Sequence, residues 1–157
     1  MKLRRVHHPE SSPIMPNIIT RPTTVGATLD HAGHGSVQAK SGAAAKLANL
    51  ASDEGFTPLE FMDAALAGCL VLSVRIAARK LGLLDRLVKV DVEATHEKAH
   101  DLPSRVAAFT TSFVIEGNFT AEERHALIAE AHAICTVGNT FEHGATIRDV
   151  EPAPAAS

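Results

Sequence analysis

The helix signal at residues 57–82 limits the fold of this chain more than any other feature. Thr57-Pro58-Leu59-Glu60 offers a capping threonine, a proline suited to the first helical position and a glutamate three residues after the cap, the elements of a capping box. From there an apolar run reaches Lys80 and stops before Gly82, a residue that tolerates the backbone of a helix end. Between Phe61 and Ile76 the apolar side chains cover most of the circumference, broken mainly by Asp63, Ser73 and Arg75. A helix apolar on nearly every side has to lie at the centre of a core or in a large interface. Its longest uncharged apolar stretch, Ala64 to Val74, is about half of the ~20 residues that cross a bilayer, so a core helix is expected and no membrane role.

Strand signals lie on both sides of this helix. Ile18 to Leu29 and Ser36 to Ala39 read as strands joined by a hairpin turn at His31-Ala32-Gly33-His34-Gly35, and Lys40 to Gly55 as a loop or a short helix. Leu87 to Glu97 alternates at Val88, Val90 and Val92, and Arg105 to Glu116 carries Val106, Ala108, Phe109, Phe113 and Ile115, which predicts adjacent antiparallel strands. Thr120-Ala121-Glu122-Glu123 is a second capping box, opening a helix to about Ile134 with Leu127, Ile128 and Ala131 inward. Asn139 and Thr140 read as a loop or turn, and Ala145 to Val150 as a last strand. Strands, a long apolar helix, strands, a helix and a strand make an α+β fold. Residues 1–17, with three prolines, read as a flexible N-terminal arm, 18–150 as one domain and 151–157 as a tail.

Composition narrows the function classes. With 15 Lys and Arg against 18 Asp and Glu the formal net charge is −3, and no basic cluster lies beside aromatic residues, which argues against nucleic acid as a partner. The basic start, Met1 to Pro9, lacks the apolar segment of a secretory signal, so the cytoplasm is the expected compartment. The nine histidines are scattered without a ligand motif, and no metal or other cofactor is expected.

The chemistry of the chain centres on two cysteines 66 residues apart, Cys69 inside the apolar helix and Cys135 at the end of the second helix. A thiolate oxidised to sulfenic acid needs a second thiol to rescue it, so two lone thiols in different settings point to redox work in partnership. Neither has the close-spaced second cysteine of a structural zinc site. In a reducing compartment a disulfide between them would be transient, catalytic or sensory. The plainer alternatives are a buried Cys69 acting as a small hydrophobe and an exposed, inert thiol at Cys135. His132, one turn before Cys135, is either a cation or base for that thiol or a solvated side chain.

Pro58-Leu-Glu-Phe-Met-Asp-Ala-Ala-Leu-Ala-Gly-Cys69, Ser73-Val-Arg-Ile-Ala-Ala-Arg-Lys-Leu-Gly82 and Cys135-Thr-Val-Gly-Asn-Thr140 together resemble the OsmC/Ohr family of osmotically induced and organic-hydroperoxide-resistance proteins. The resemblance implies an intertwined homodimer in which long central helices are enclosed by antiparallel sheets of both chains. It also implies an antioxidant, stress-response activity: reduction of organic hydroperoxides by Cys69 as the attacking thiol and Cys135 as the resolving thiol, with an external thiol or dithiol as reductant. Peroxidase members carry a glutamate ten residues before the first cysteine and an arginine from the early hairpin. Here Leu59 holds the first position, with Glu60 about 100° further around the helix. Glu60 is the third candidate site residue, with capping as its competing role. The hairpin position falls near Gly33 or His34, with Arg21 just ahead, and Thr136 stands where many members have proline. A burial that raises the Cys69 pKa without a neighbouring cation would slow the thiol. The alternative is therefore a dimeric small-molecule-binding or thiol redox-sensing protein on the same fold.

Overall fold

A computed structural model describes residues 21–150; the N-terminal arm, the first residues of the strand expected from Ile18, and the tail from 151 lie outside the described residues. Three short strands, β1 (Val25–Leu29), β2 (Gly35–Ala39) and β3 (Ala44–Leu47), precede the long helix α1 (Pro58–Lys80). A 3-10 turn at Leu84–Arg86 leads into β4 (Leu87–Lys98) and β5 (Val106–Gly117), followed by the helices α2 (Ala121–Ile134) and α3 (Thr136–His143). The strands form two antiparallel sheets, β1-β2-β3 and β4-β5, and the architecture is α+β.

Both capping boxes are built as the sequence requires. Thr57 Oγ1 accepts from the Glu60 N–H at 3.3 Å while Glu60 Oε2 accepts from the Thr57 N–H at 2.7 Å. The same exchange joins Thr120 and Glu123 at 3.2 and 2.9 Å. Each box satisfies two backbone donors that a helix start would otherwise leave unpaired.

The β4–β5 hairpin presents one face to the helices. Its register pairs Val90 with Ile115, Val92 with Phe113, Ala94 with Thr111 and His96 with Phe109, all on the covered side, while Asp91, Glu93, Ser112 and Glu116 face water. A one-residue slip would turn the whole apolar set outward, so burial fixes the register. Against this face Val74, Ala77 and Ala78 of α1 close a core with Ile115 and with Leu127 and Ala131 of α2. The start of α2 is fastened by Arg124, whose guanidinium donates to the Ile115 and Gly117 carbonyls, and by Arg86, which donates to Glu123 and to the Asn118 carbonyl. Phe119 lies between the two guanidinium groups, 5.4 and 5.6 Å from its ring centre. Gly117 has φ +151°, and a Cβ there would come within 2.3 Å of the Arg86 carbonyl oxygen and of the Phe119 ring. Only glycine fits this corner.

Three expectations need correction. The segment 40–55 is neither loop nor helix throughout: Ala44–Leu47 is β3, paired with β2 from Gly35↔Leu47 to Gln38↔Ala44. Residues 136–143 are helical where a loop or turn was expected, because Val137 and Phe141, four residues apart, pack on the core. Ala145 to Val150 forms no strand; Ile147 and Val150 are 91% and 89% exposed, and β propensity yields no strand without a neighbour to pair with.

The described residues of one chain do not complete the enclosure expected for α1. Leu66, Leu70, Ser73, Val74, Ala77 and Ala78 are buried, but Leu72 and Ile76 on the opposite side are 65% and 55% exposed. The β1-β2-β3 sheet does not cover them, and β1 is itself exposed along its whole length.

Candidate functional site

Cys69 lies near the middle of α1, with Leu66 one turn before it and Ser73 one turn after it. Cys135 stands between α2 and α3, with an extended backbone (φ −71°, ψ 102°) that ends one helix and caps the next. Its Sγ accepts from the Gly138 N–H at 3.3 Å, an N-cap made by sulfur in place of the usual oxygen. The turn from α2 into α3 carries Cys135 back against α1, and both cysteines join one apolar cluster with Leu66 and Leu70.

The two thiols differ in access and acidity. Cys135 is fully buried, contrary to the exposed helix-end thiol expected, because Leu66 and the start of α3 cover it; Cys69 is half-buried. Burial pushes the Cys69 thiol up, but hydrogen bonds from the Val137 N–H, the Cys135 S–H, the Ser73 hydroxyl and the Thr136 N–H together bring it below its ordinary value. Burial also raises Cys135, and its hydrogen bond to Cys69 raises it further, against the opposing Gly138 and Val137 N–H groups. The proton of the pair therefore stays on Cys135, and Cys69 ionises first.

Glu60 is exposed and engaged in the Thr57 capping box. Nine residues separate it from Cys69, about 13 Å along the helix axis. Arg21 donates to Ser41 Oγ at 3.0 Å, and His34 Nδ1 lies 3.0 Å from Asp30 Oδ2, so the hairpin residues make their contacts within or beside the β1-β2-β3 sheet. Leu59 lines a groove of about 740 Å³ with Met62, Phe109 and Phe141, bordered by Lys98 and Arg105. Phe109 and Phe141 stack at 4.6 Å, and across them a second groove of about 420 Å³ reaches Leu66, Gly138 and His132.

Sequence reasoning missed two polar groups on α1. Ser73 is 4% exposed, and its spacing of four residues from Cys69 on an apolar helix was the available signal. Asp63 Oδ2 lies 2.7 Å from His96 Nδ1 across the α1–β4 contact, while Asp63 Oδ1 is buried without a partner among the described residues. Nothing in the separation of these two residues along the sequence announces that contact. Among the described residues, no three His, Cys, Asp or Glu side chains gather as a metal site.

Comparison with known proteins places this geometry. The chain resembles the OsmC-like protein from Mycoplasma pneumoniae, with a TM-score of 0.67 and 15% identity over 76% of this chain and 86% of that one. It resembles the organic hydroperoxide resistance protein OsmC of Legionella pneumophila, with a TM-score of 0.64 and 20% identity over 77% and 90%. The organic hydroperoxide resistance protein OhrB of Bacillus subtilis superposes with a TM-score of 0.61 at 16% identity, over 76% and 90%. These identities speak for the fold. No curated protein matches the chain. The family model described as OsmC-like protein matches residues 51–148, which span α1, both long strands, α2, α3 and both cysteines. On that match, covering more than half of the sequence, the chain belongs to the OsmC-like protein family.

Proposed function

We propose that the protein is a two-cysteine thiol peroxidase that reduces organic hydroperoxides, acting as a homodimer in the cytoplasm. The observation that carries the reading is the thiol pair itself: a half-buried Cys69 packed in one apolar cluster with a fully buried Cys135, its surroundings lowering the pKa of the first and raising that of the second. A thiolate is the nucleophile in peroxide reduction. The Cys69 thiolate attacks the hydroxyl oxygen of ROOH and the O–O bond breaks. Cys69 becomes a sulfenic acid, and the departing alkoxide takes up a proton to leave as ROH. Cys135 then loses its proton and attacks the sulfenic sulfur, hydroxide leaves as water, and a disulfide forms. An external dithiol, or two thiols, reduces it by exchange and is itself oxidised. The groove along Met62, Phe109 and Phe141 adjoins the cysteine cluster through its two phenylalanines, and these apolar walls support peroxides with a hydrocarbon body as substrates over hydrogen peroxide. The uncovered apolar side of α1 and the outlying β1-β2-β3 sheet support the dimer.

The decisive experiment is rapid-mixing consumption of cumene hydroperoxide and hydrogen peroxide by the reduced protein, with intact-mass detection of the products. The expected result is Cys69-dependent loss of the organic peroxide with one disulfide formed per chain. Cys69→Ser should be inert, and Cys135→Ser should stop at sulfenic acid after one turnover. Leucine at position 59 is the specific observation behind a second reading, a thiol sensor on the same scaffold. Slow oxidation without turnover under excess dithiol would favour it over the enzyme.

A further inference from the structure

We infer that the disulfide of the proposed cycle opens at one sulfur only: the reductant thiolate attacks Cys69 Sγ, Cys135 is the leaving group, and the mixed disulfide is carried on Cys69. The inference deepens the peroxidase reading and rests on it for the disulfide's place in a cycle. Its test forms the disulfide without peroxide.

A thiolate can attack a disulfide at either sulfur, and the choice depends on access as well as on which sulfur leaves more easily. Access separates the two here. Cys135 has no surface open to water, and therefore none open to an attacking sulfur. A Cβ on Gly138 would lie 3.4 Å from Cys135 Sγ and 3.7 Å from Leu66 Cδ1, so the start of α3 and Leu66 close together over this thiol. Cys69 is only half-buried. It follows Met62 by two turns on the same stripe of α1, and Met62 walls the groove of about 740 Å³. Phe109 and Phe141 belong both to that groove and to the cysteine cluster, so the groove ends beside Cys69.

The departure of Cys135 is provided for as well. When a thiolate bonds to Cys69 Sγ, the S–S bond breaks and its electron pair goes to Cys135 Sγ. The Gly138 N–H already donates to that sulfur at 3.3 Å, so a donor is in place for the arriving charge. Burial raises the Cys135 pKa, which slows its departure, and the neighbouring Cys69 thiol raises it further. The second of these effects disappears once Cys69 is bonded to the reductant. Access outweighs the first, because a sulfur without open surface offers no line of attack. Cys135 then takes a proton from water. A second thiolate attacks the reductant's own sulfur, the mixed disulfide breaks, and its electron pair leaves with Cys69. The reductant ends as a disulfide, and the cysteine pair has gained the two electrons it gave up to the peroxide.

The test starts from full-length protein oxidised with diamide, which joins two thiols without a peroxide. A brief exposure to glutathione at neutral pH is stopped with acid, which removes the thiolates that drive further exchange. N-ethylmaleimide in mildly acidic denaturant labels the freed thiol, and peptide mass mapping locates both groups. Glutathione should sit on Cys69 and the maleimide on Cys135, in about tenfold or greater excess over the reverse arrangement. Equal amounts, or glutathione mainly on Cys135, overturn the inference. Leu66→Ala uncovers Cys135 and should raise the share of glutathione found there. An unchanged share, in a variant shown by thermal unfolding to be folded, means that access does not select the sulfur and also overturns it. Diamide that forms no Cys69–Cys135 bond overturns the inference and the two-cysteine peroxidase together. A bond that opens at Cys69 in a protein inert to cumene hydroperoxide upholds the inference and sinks the peroxidase reading alone.

Discussion

The uncovered side of α1 gives the proposed dimer a direct test. Leu72 and Ile76 keep 65% and 55% of their surface in water within one chain, and Ala65 and Gly68 continue the exposed side toward the helix start. Fully burying a leucine or isoleucine is worth about 1.5–3 kcal/mol, so these two side chains hold about 2–4 kcal/mol per chain still to be gained. A two-fold interface uses the same patch twice, which brings the total to roughly 4–7 kcal/mol. Leu72→Asp forfeits about half of that and places two unpaired carboxylates in the contact, weakening association by at least about 3–4 kcal/mol, roughly a hundred- to a thousandfold in Kd. In the isolated chain the position faces water, so helix content and unfolding of the monomer should hardly change. Sedimentation velocity across the micromolar range reads the outcome. The reasoning fails if the wild-type protein sediments as a monomer throughout, or if Leu72→Asp associates as tightly as wild type.

Three further outcomes follow from the same geometry. Leu70→Ala, at a fully buried position between the two cysteines and the β4–β5 hairpin, should destabilise the fold by about 2–5 kcal/mol in denaturant unfolding. Cys135→Ala should move the pH profile of iodoacetamide alkylation at Cys69, read by intact mass, to higher pH, because the S–H that steadies the thiolate is gone and the thiol holds its proton longer as pH rises. Cys135→Ser keeps a donor and should shift it less. His96→Ala removes the ion-pair partner that Asp63, whose side chain is 16% exposed, has among the described residues, and should cost about 2–4 kcal/mol. Adding Asp63→Leu should recover most of that loss, and a double variant no more stable than His96→Ala would contradict the account.

What was legible in the sequence was local. The partners in both capping boxes lie three residues from Thr57 and Thr120, so those signals are complete within one turn. β4 and β5 carry enough alternating apolar residues to declare a half-buried hairpin. β3 declares nothing comparable: Ala-Ala-Lys-Leu is a poor strand former, and it is a strand because β2 offers an edge. Ala145 to Val150 is the converse, strand-like in composition and without a partner strand among the described residues. Within α1 the apolar girth was plain, but which side one chain covers depends on where β4–β5 and α2 dock.

The same division runs through the site. Each cysteine could be picked out by its setting, but their order of ionisation could not, because it is decided where the start of α3 meets the middle of α1. Ser73 on α1 and Thr136 at the start of α3 come from opposite halves of the chain, and neither is a charged residue that a motif would flag. α3 meets α1 only because Cys135 ends α2 with an extended backbone and turns α3 back onto the helix that carries Cys69. A search for the family's acid and arginine finds leucine at position 59, and on that ground alone a sluggish thiol would follow. The acidity of a buried sulfur is set by the number and aim of its donors as well as by their charge. Neutral donors around the thiol pair can therefore keep Cys69 acidic where the charged pair is missing.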